Sequence, residues 1–408
     1  MTAASTTWVT YVDELEGLRA TVCVEDSWNA NGDNAFHPVT APPPRPVLDA
    51  ARRLPRTPAI LWDLDSLRER VNGLRGIVRE HGLGLSAAVK ACRNHRVLSL
   101  LAKEGLTADV ASLAEWDAAR RAGFDTISAT GPGFRPQEAA RLLHEGVLFD
   151  AQSLTQLDQL LALGVRDGFG LRLRVPLPDA LRSTTSRGGN SRFGVEVDSG
   201  LLERLEAARV RVGRLRVHTG ESTARTLEFR ARYAFVVAAL LGTVTEVNLG
   251  GGFLRLARDP AALRKALGAV TGGPDRCWIE PGAALVADSA YLVMEVLDEH
   301  PGGEHAGVTV DASAWNIAPW TYPSFYRVGG EPTRYQGNVY GPTLYEKDRF
   351  RNESTVDTGG GETRVRVGDR LVGTSFGAYT IVNGRRFAGL ALPAQFAIAR
   401  DELECIDD

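Results

Sequence analysis

The chain of 408 residues is 44% hydrophobic and 24% charged with a formal net charge of −3, which suits a globular protein long enough for two domains or for one barrel with a companion. That charge argues against nucleic acid or an anionic membrane surface as the main partner, and no apolar run approaches the ~18 residues of a membrane span. The amino terminus lacks a basic region followed by an apolar core, and Cys23, Cys92, Cys277 and Cys405 have neither metal nor disulfide spacing, so the expected location is the reducing cytoplasm.

Residues 1–56 carry few periodic signals and end in Ala41-Pro42-Pro43-Pro44-Arg45-Pro46, an extension that is an arm, a disordered lead or a segment packed on the β-domain. From Thr57 the pattern becomes regular. Ala59-Ile60-Leu61-Trp62 reads as a strand, and Asp65 or Ser66 caps a helix whose apolar face is Leu67, Val71, Leu74, Ile77 and Val78. Strand and helix then alternate. Eight strand ends follow: Val89-Lys90, Asp109 to Ser112, Ile127 to Thr130, Leu148 to Asp150, Leu171 to Arg174, Leu215 to His218, Val247 to Gly250 and Trp278 to Glu280. Helical patterns lie between most of them, at residues 113–122, 136–145, 153–163 and 223–241. This order predicts a (β/α)8 TIM barrel over residues 57–284, with a doubly wound sheet as the alternative. Beyond residue 284 the alternation stops. Residues 291–296, 307–311, 370–373 and 387–398 read as strands between Gly, Pro and Asn turns, which predicts a C-terminal β-barrel or sandwich domain over 285–408.

In such a barrel chemistry sits at the carboxyl ends of the strands, and here those ends carry Lys90, Asp109, Ser112, Arg172, His218, Gly250-Gly251-Gly252 and Glu280. Only 4 of the 47 basic residues are lysines. A lysine where arginine is the default cation suggests that an amine was needed, because only lysine deprotonates and forms a Schiff base; a lysine snorkelling to solvent is the plainer reading. Three glycines after a strand let backbone amides ring a phosphate, although glycine-rich loops are also plain turns. Glu280, in Glu280-Pro281-Gly282, is either a cap or a carboxylate that keeps a heterocyclic nitrogen protonated. His218 is one of seven histidines and stands at the expected barrel mouth. A single explanation covers lysine, glycine loop, carboxylate and imidazole together: pyridoxal phosphate bound covalently to Lys90, its phosphate on the glycine amides, its ring between His218 and Glu280. No His/Cys/Asp/Glu cluster has metal-ligand spacing, so no metal is expected.

With these residues assembled, the chain resembles the fold-type III pyridoxal-phosphate enzymes, the group of diaminopimelate, ornithine and arginine decarboxylases and, more distantly, alanine racemase. The matching segments run in the family's order between about residues 57 and 395: Ala88-Val89-Lys90-Ala91, Asp109-Val110-Ala111-Ser112, Leu171-Arg172, Ser191 to Gly194, His218-Thr219-Gly220, Gly250 to Gly252, Glu280-Pro281-Gly282, Gly341-Pro342-Thr343 and Gly377-Ala378-Tyr379. The resemblance implies an alanine-racemase-like barrel joined to a β-domain, in a homodimer whose active sites borrow residues from the partner. It implies that Lys90 is the Schiff-base lysine, His218 the ring-stacking residue and Glu280 the partner of the pyridine nitrogen. Gly250, Gly251, Gly252, Gly282 and Tyr379 form the phosphate cradle, and Asp109, Ser112, Arg172 and Ser222 are further cofactor contacts.

Departures from the family's pattern concentrate late in the chain. The decarboxylases carry a Gly-Pro-x-Cys-Glu/Asp run in which the cysteine protonates the product. Here the run is Gly341-Pro342-Thr343-Leu344-Tyr345-Glu346-Lys347-Asp348, with leucine at the cysteine position. Ala283 stands where an arginine follows Glu-Pro-Gly, Ala318-Pro319 replaces an Arg-Pro pair, and Glu221 occupies the place of a phosphate-binding serine, with Ser222 one position on. The expected activity is decarboxylation of an α-amino acid or an amino-acid-derived metabolite through a Lys90 Schiff base and a quinonoid intermediate, with Tyr345 or Lys90 returning the proton. Racemisation or epimerisation on the same scaffold, and a pyridoxal-phosphate-binding protein without turnover, are the alternatives. Tyr345, Asp348 and Tyr326 are the expected substrate contacts. Tyr326 belongs to an aromatic group, Trp315, Trp320, Tyr322, Phe325 and Tyr326, that either lines a pocket or fills a core.

Overall fold

The first strand, β1 (Ala59–Asp63), stands apart from the eight that follow it. Those eight are β2 (Leu83–Ala88), β3 (Thr107–Val110), β4 (Ile127–Ala129), β5 (Leu148–Ala151), β6 (Gly170–Leu173), β7 (Arg214–Val217), β8 (Glu246–Asn248) and β9 (Arg276–Ile279). Each pairs in parallel with the next, and β9 returns to β2 to close a barrel. The computed structural model describes residues 10–19, 39, 41–182, 191–329, 333–351 and 365–407. The chain divides into two compact units, one of Met1–Ala35, Asn72–Val89 and Leu101–Ala284, the other of Phe36–Val71, Lys90–Leu100 and Leu285–Asp408.

In the first unit the helices return the chain between strands, and side-chain caps fix where they start. Ser112 accepts the amide of Glu115 ahead of Leu113–Ala122, Ser153 that of Gln156 ahead of Leu154–Ala162, and Thr223 that of Thr226 ahead of Ala224–Leu241. Glycines in the left-handed conformation, Gly123 and Gly242, end two of them. A helix over residues 10–19 belongs to this unit, with Tyr11 bonded to the buried Tyr233. Among the described residues no helix is long and apolar enough to cross a membrane.

The second unit is a mixed sheet built from β1, β10 (Ala290–His300), β11 (Gly307–Val310), β12 (Phe325–Arg327), β13 (Arg334–Tyr335), β14 (Asn338–Tyr340), β15 (Arg370–Gly373), β16 (Ala394–Ala399) and β17 (Glu402–Cys405). β1 lies in its middle, antiparallel to β10 and parallel to β16, with all five residues buried. The sequence pattern groups β1 with the barrel, and the structure corrects this. A continuous apolar strand reports burial on both faces, which a barrel wall and a sheet centre provide alike. The helix Arg45–Arg53 packs Val47, Leu48, Ala50 and Ala51 against Ala59, Leu61, Tyr291, Val293, Val372 and Phe396 of this sheet. That part of the amino-terminal extension is therefore packed, while residues 20–38, with Cys23, lie outside the described residues. The helix Leu64–Glu80 buries its expected face, but Asp63 caps it by accepting the Ser66 amide at 2.9 Å, in place of Asp65 or Ser66. Of the strand expected over 387–398 only β16 forms. Phe387–Gly389 is a 3-10 turn in which Ala388 (φ 58°) and Gly389 (φ 72°) are left-handed, a conformation no strand accommodates.

Candidate active site

The barrel lumen is lined by charge where most such barrels stack branched apolar side chains. Within β7, Leu215 and Val217 face the helices by strand alternation, which turns Arg214 and Arg216 inward. Arg216 Nη2 lies 2.6 Å from Asp109 Oδ1 of β3 and also contacts Glu280 Oε2 beyond β9, while Nη1 lies 3.5 Å from Asp150 Oδ2 of β5. β3 and β5 are not neighbours of β7, so these bonds cross the lumen. Nearer the amino ends of the strands, Arg214 pairs with Asp150 at 2.7 Å and with Glu246 at 3.5 Å. Asn248 Nδ2 donates to the second oxygen of Glu280, Oε1, and Ser128 donates to Asp109 at 3.0 Å.

Three carboxylates thus surround one guanidinium at the carboxyl-end layer. Burial pushes the Glu280 carboxyl up to about 7; Arg216 opposes this, and the charges of Asp109 and Asp150 reinforce it. Burial lowers the Arg172 guanidinium to about 10, Arg216 repels it further, and the carboxylates hold it back. Its Cζ lies 4.9 Å from the Phe193 ring centroid. Among the described residues no group of three or more His, Cys, Asp or Glu is arranged to hold a metal ion.

The glycine loop follows β8. Gly250 (φ 72°) and Gly252 (φ 85°) take backbone conformations open mainly to glycine, and a side chain on Gly252 would run into the carbonyl of Gly220. The Gly250 amide donates to Asn248 Oδ1 at 2.8 Å and the Gly251 amide to His218 Nδ1 at 3.2 Å. His218 Nδ1 is therefore an acceptor, and the proton of the neutral ring sits on Nε2. The half-exposed amides of Gly252 and Gly282 have no acceptor among the described residues. Unused amides at two adjacent strand ends suit an anionic oxygen group, and the surplus of carboxylates deeper in the lumen suits a protonated ring nitrogen. The residues present therefore fit pyridoxal phosphate.

Several expected cofactor contacts are committed elsewhere. Ser222 is fully buried and its hydroxyl donates to the Gly251 carbonyl at 3.3 Å, so it braces the loop from beneath. Glu221 accepts the Arg255 amide at 2.9 Å, which satisfies the carboxylate locally; burial raises its pKa. Arg230, fully buried, donates to the Gly251 carbonyl at 3.2 Å, and burial brings its pKa down to about 9. Ser112 is a helix cap. Ser112→Ala is expected to cost about 1 kcal/mol in chemical denaturation and to leave cofactor affinity unchanged; a large loss of affinity would make the hydroxyl a ligand.

Lys90 lies in the 3-10 turn Val89–Ala91 directly after β2. Two residues earlier, Ala88 is in register with Asp109 and donates its amide to the Pro281 carbonyl at 3.3 Å. Lys90 is exposed, and among the described residues it makes no hydrogen bond or ion pair. Within the second unit the Tyr379 amide donates to the Ala91 carbonyl at 2.9 Å, and the Tyr379 ring stacks on the exposed Trp320 at 4.3 Å between centroids.

The run from Gly341 to Asp348 is organised by Asp348, which is 2% exposed. Its carboxylate accepts from Ser313 Oγ at 3.1 Å, the Trp315 amide at 2.9 Å and Thr343 Oγ1 at 2.6 Å. Tyr326 is equally buried, at 3%, in β12. Two of the three expected substrate contacts, Asp348 and Tyr326, are thus buried in the interior of the sheet unit, and Phe325 joins them in the core. By contrast Leu344 is wholly exposed, and Tyr345 is half-buried with its ring edge-on to Trp315 at 4.7 Å.

Sequence reading missed Arg216, Asp150, Asn248 and Arg230. Alternation carried the signal for the first two: in Arg214-Leu215-Arg216-Val217 and in Leu148-Phe149-Asp150 the polar residues sit on the parity opposite the buried apolar ones.

The pyridoxal-binding domain of the pyridoxal-dependent decarboxylases matches residues 67–287. The chain is 25% identical over 376 residues to the lysine/ornithine decarboxylase of Selenomonas ruminantium, covering 85% of this chain and 90% of that protein. It is 27% identical to the diaminopimelate decarboxylase of Streptomyces coelicolor, with 82% of each covered. Among solved structures, the diaminopimelate decarboxylase of M. jannaschi superposes with a TM-score of 0.77 at 20% identity, covering 88% of this chain and 91% of that one. That of Helicobacter pylori complexed with L-lysine gives 0.75 at 21% identity, covering 88% and 95%. Sequence match and barrel agree, and the chain belongs to the pyridoxal-dependent decarboxylases, carboxy-lyases of the fold-type III pyridoxal-phosphate group.

Proposed function

We propose that this protein decarboxylates an α-amino acid or an amino-acid-derived metabolite, with Lys90 as the covalent anchor of pyridoxal phosphate. The observation that carries the reading is an exposed amine, without a hydrogen bond or ion pair among the described residues, two residues beyond the point where β2 pairs with Asp109 and meets Pro281, the neighbour of Glu280 in the chain. When bound, the cofactor supplies an electron sink for the bond broken at Cα. Lys90 Nζ would hold the cofactor covalently and, once released from it, would be an amine free to carry a proton. Glu280 holds a proton at the ring nitrogen, and the Gly252 and Gly282 amides bind the phosphate. His218, its plane fixed by the Gly251 amide, packs against the ring.

Tyr345 is the proposed proton donor to Cα, acting across a homodimer. Its place beside the exposed Leu344 on a loop pinned by Asp348 supports this. The relatives named for diaminopimelate and for lysine/ornithine support a substrate of the same class, an amino acid with a second functional group on its side chain. Ala283 and the Ala318-Pro319 pair remove arginines that would grip a distal carboxylate, which favours a side chain without one.

Incubation with pyridoxal phosphate and a panel of basic and acidic amino acids in D2O tests the reaction. The expected product has lost CO2 and gained one deuterium at Cα. Deuterium with a retained carboxylate and scrambled chirality would establish a racemase instead, and no exchange with any amino acid would leave a binding protein.

A further inference from the structure

We propose that Arg216 is a positioning residue that keeps the proton between Glu280 and the cofactor's ring nitrogen on the nitrogen. The inference rests on the reading of Glu280 as that nitrogen's partner. Hydrogen-bond direction carries it. The Gly250 amide donates to Asn248 Oδ1, which fixes the amide so that Nδ2 faces Glu280 Oε1. Arg216, a donor at every nitrogen, faces Oε2. Each oxygen of Glu280 therefore meets a donor that cannot accept, so an acid proton on either of those two lone pairs would point at another N–H. Two N–H donors favour the carboxylate over the acid and leave further lone pairs to accept from a proton held by the ring.

Charge works in the same direction. Glu280 is 5% exposed beside Asp109 and Asp150, so burial and two like charges favour its neutral form, and Arg216 opposes them. Among the described residues the charges that act on Glu280 are Arg216, Asp109, Asp150, Arg172 and Arg230, and of these Arg216 is the one ion-paired to it. A guanidinium that only cemented the strands would need Asp109 and Asp150 but not the fork toward Glu280.

The test is the 15N chemical shift of holoenzyme loaded with pyridoxal phosphate labelled at the ring nitrogen, recorded on wild type, Arg216→Gln, Arg216→Lys and Glu280→Gln. Wild type is expected to show a protonated nitrogen. Arg216→Gln should lower the ratio of protonated to neutral nitrogen by about ten- to a thousandfold, the effect of losing one opposite charge at contact, and Arg216→Lys should recover most of it. A protonated signal in Arg216→Gln, with that signal lost in Glu280→Gln, overturns the role of Arg216 alone. An unchanged signal in Glu280→Gln overturns the assignment of Glu280 and this inference with it. Should Arg216→Gln not fold, Asp109→Asn decides. Removing a like charge makes Glu280 the weaker proton acceptor of the pair, so at the pH of the wild-type measurement the fraction of protonated nitrogen should be at least that of wild type, and a loss of the protonated signal counts against the proposal.

Discussion

Replacing Lys90 by alanine is expected to abolish covalent capture of pyridoxal phosphate and to lower turnover by ~10³-fold or more, since the anchor and a candidate proton carrier vanish together. Borohydride reduction of the loaded protein followed by peptide mass mapping reads the first effect directly. In wild type the label should fall on the peptide containing Lys90. Only Lys103, Lys265 and Lys347 could take it otherwise, and a labelled peptide in Lys90→Ala would move the anchor to one of those. Stability should hardly change. Lys90 is exposed and free of bonds among the described residues, and substitutions at such positions usually stay within about 0.5 kcal/mol. Lys90→Arg separates charge from chemistry: it keeps the cation, and a guanidinium does not deprotonate to attack an aldehyde, so it should be as inactive as alanine. Loss of both capture and fold in these variants would contradict the exposed position of the side chain.

The barrel was legible in the sequence because each of its units is punctuated. An apolar strand ends on a polar residue, a Ser, Thr or Asp caps several of the helices that follow, and the helix face repeats at three and four. Ser112, Ser153 and Thr223 cap helices that begin within one residue of where the pattern starts them. β1 carries no such punctuation for its partners, since which neighbours a buried strand takes is decided by residues more than two hundred positions away. The site divides along the same line. Lys90, Glu280 and the glycines stand at strand ends, the places where a barrel of this kind carries its chemistry, so position along the chain was enough to single them out. Arg216 and Asp150 stand inside strands whose apolar neighbours hide them, and their meaning depends on closure of the barrel, which brings β3, β5 and β7 face to face across the lumen. The hydrogen bonds of Asp348 were hidden for the converse reason. A carboxylate in a motif-bearing loop reads as a ligand until its donors, Ser313, Trp315 and Thr343, are known, and one of them is 35 residues away.

Tyr345→Phe is expected to lower kcat for decarboxylation by roughly 10²- to 10⁴-fold, the usual range for a lost general acid, while cofactor affinity and fold persist. The substitution removes one oxygen, and the ring keeps its edge-on contacts with Trp315 and, at 6.5 Å between centroids, with Phe387. Activity within a factor of a few of wild type would take Tyr345 out of the mechanism and leave Lys90 to return the proton. Introducing Leu344→Cys beside Tyr345→Phe should restore part of the loss, because a thiol is an acid and the leucine it replaces is not; Leu344 is wholly exposed, so the exchange disturbs no packing in this chain. The sharing of sites follows from mixing two inactive variants, Lys90→Ala and Tyr345→Phe. If Lys90 and Tyr345 of one active site come from different subunits, half of the randomly reassembled dimers are mixed, and each of these holds one site with both residues intact and one with neither. Activity should then recover to roughly a quarter of wild type from two proteins that have almost none. If both residues serve from the same chain, every site in every dimer keeps one lesion and mixing restores nothing, which would confine the proton donor to the subunit that binds the cofactor.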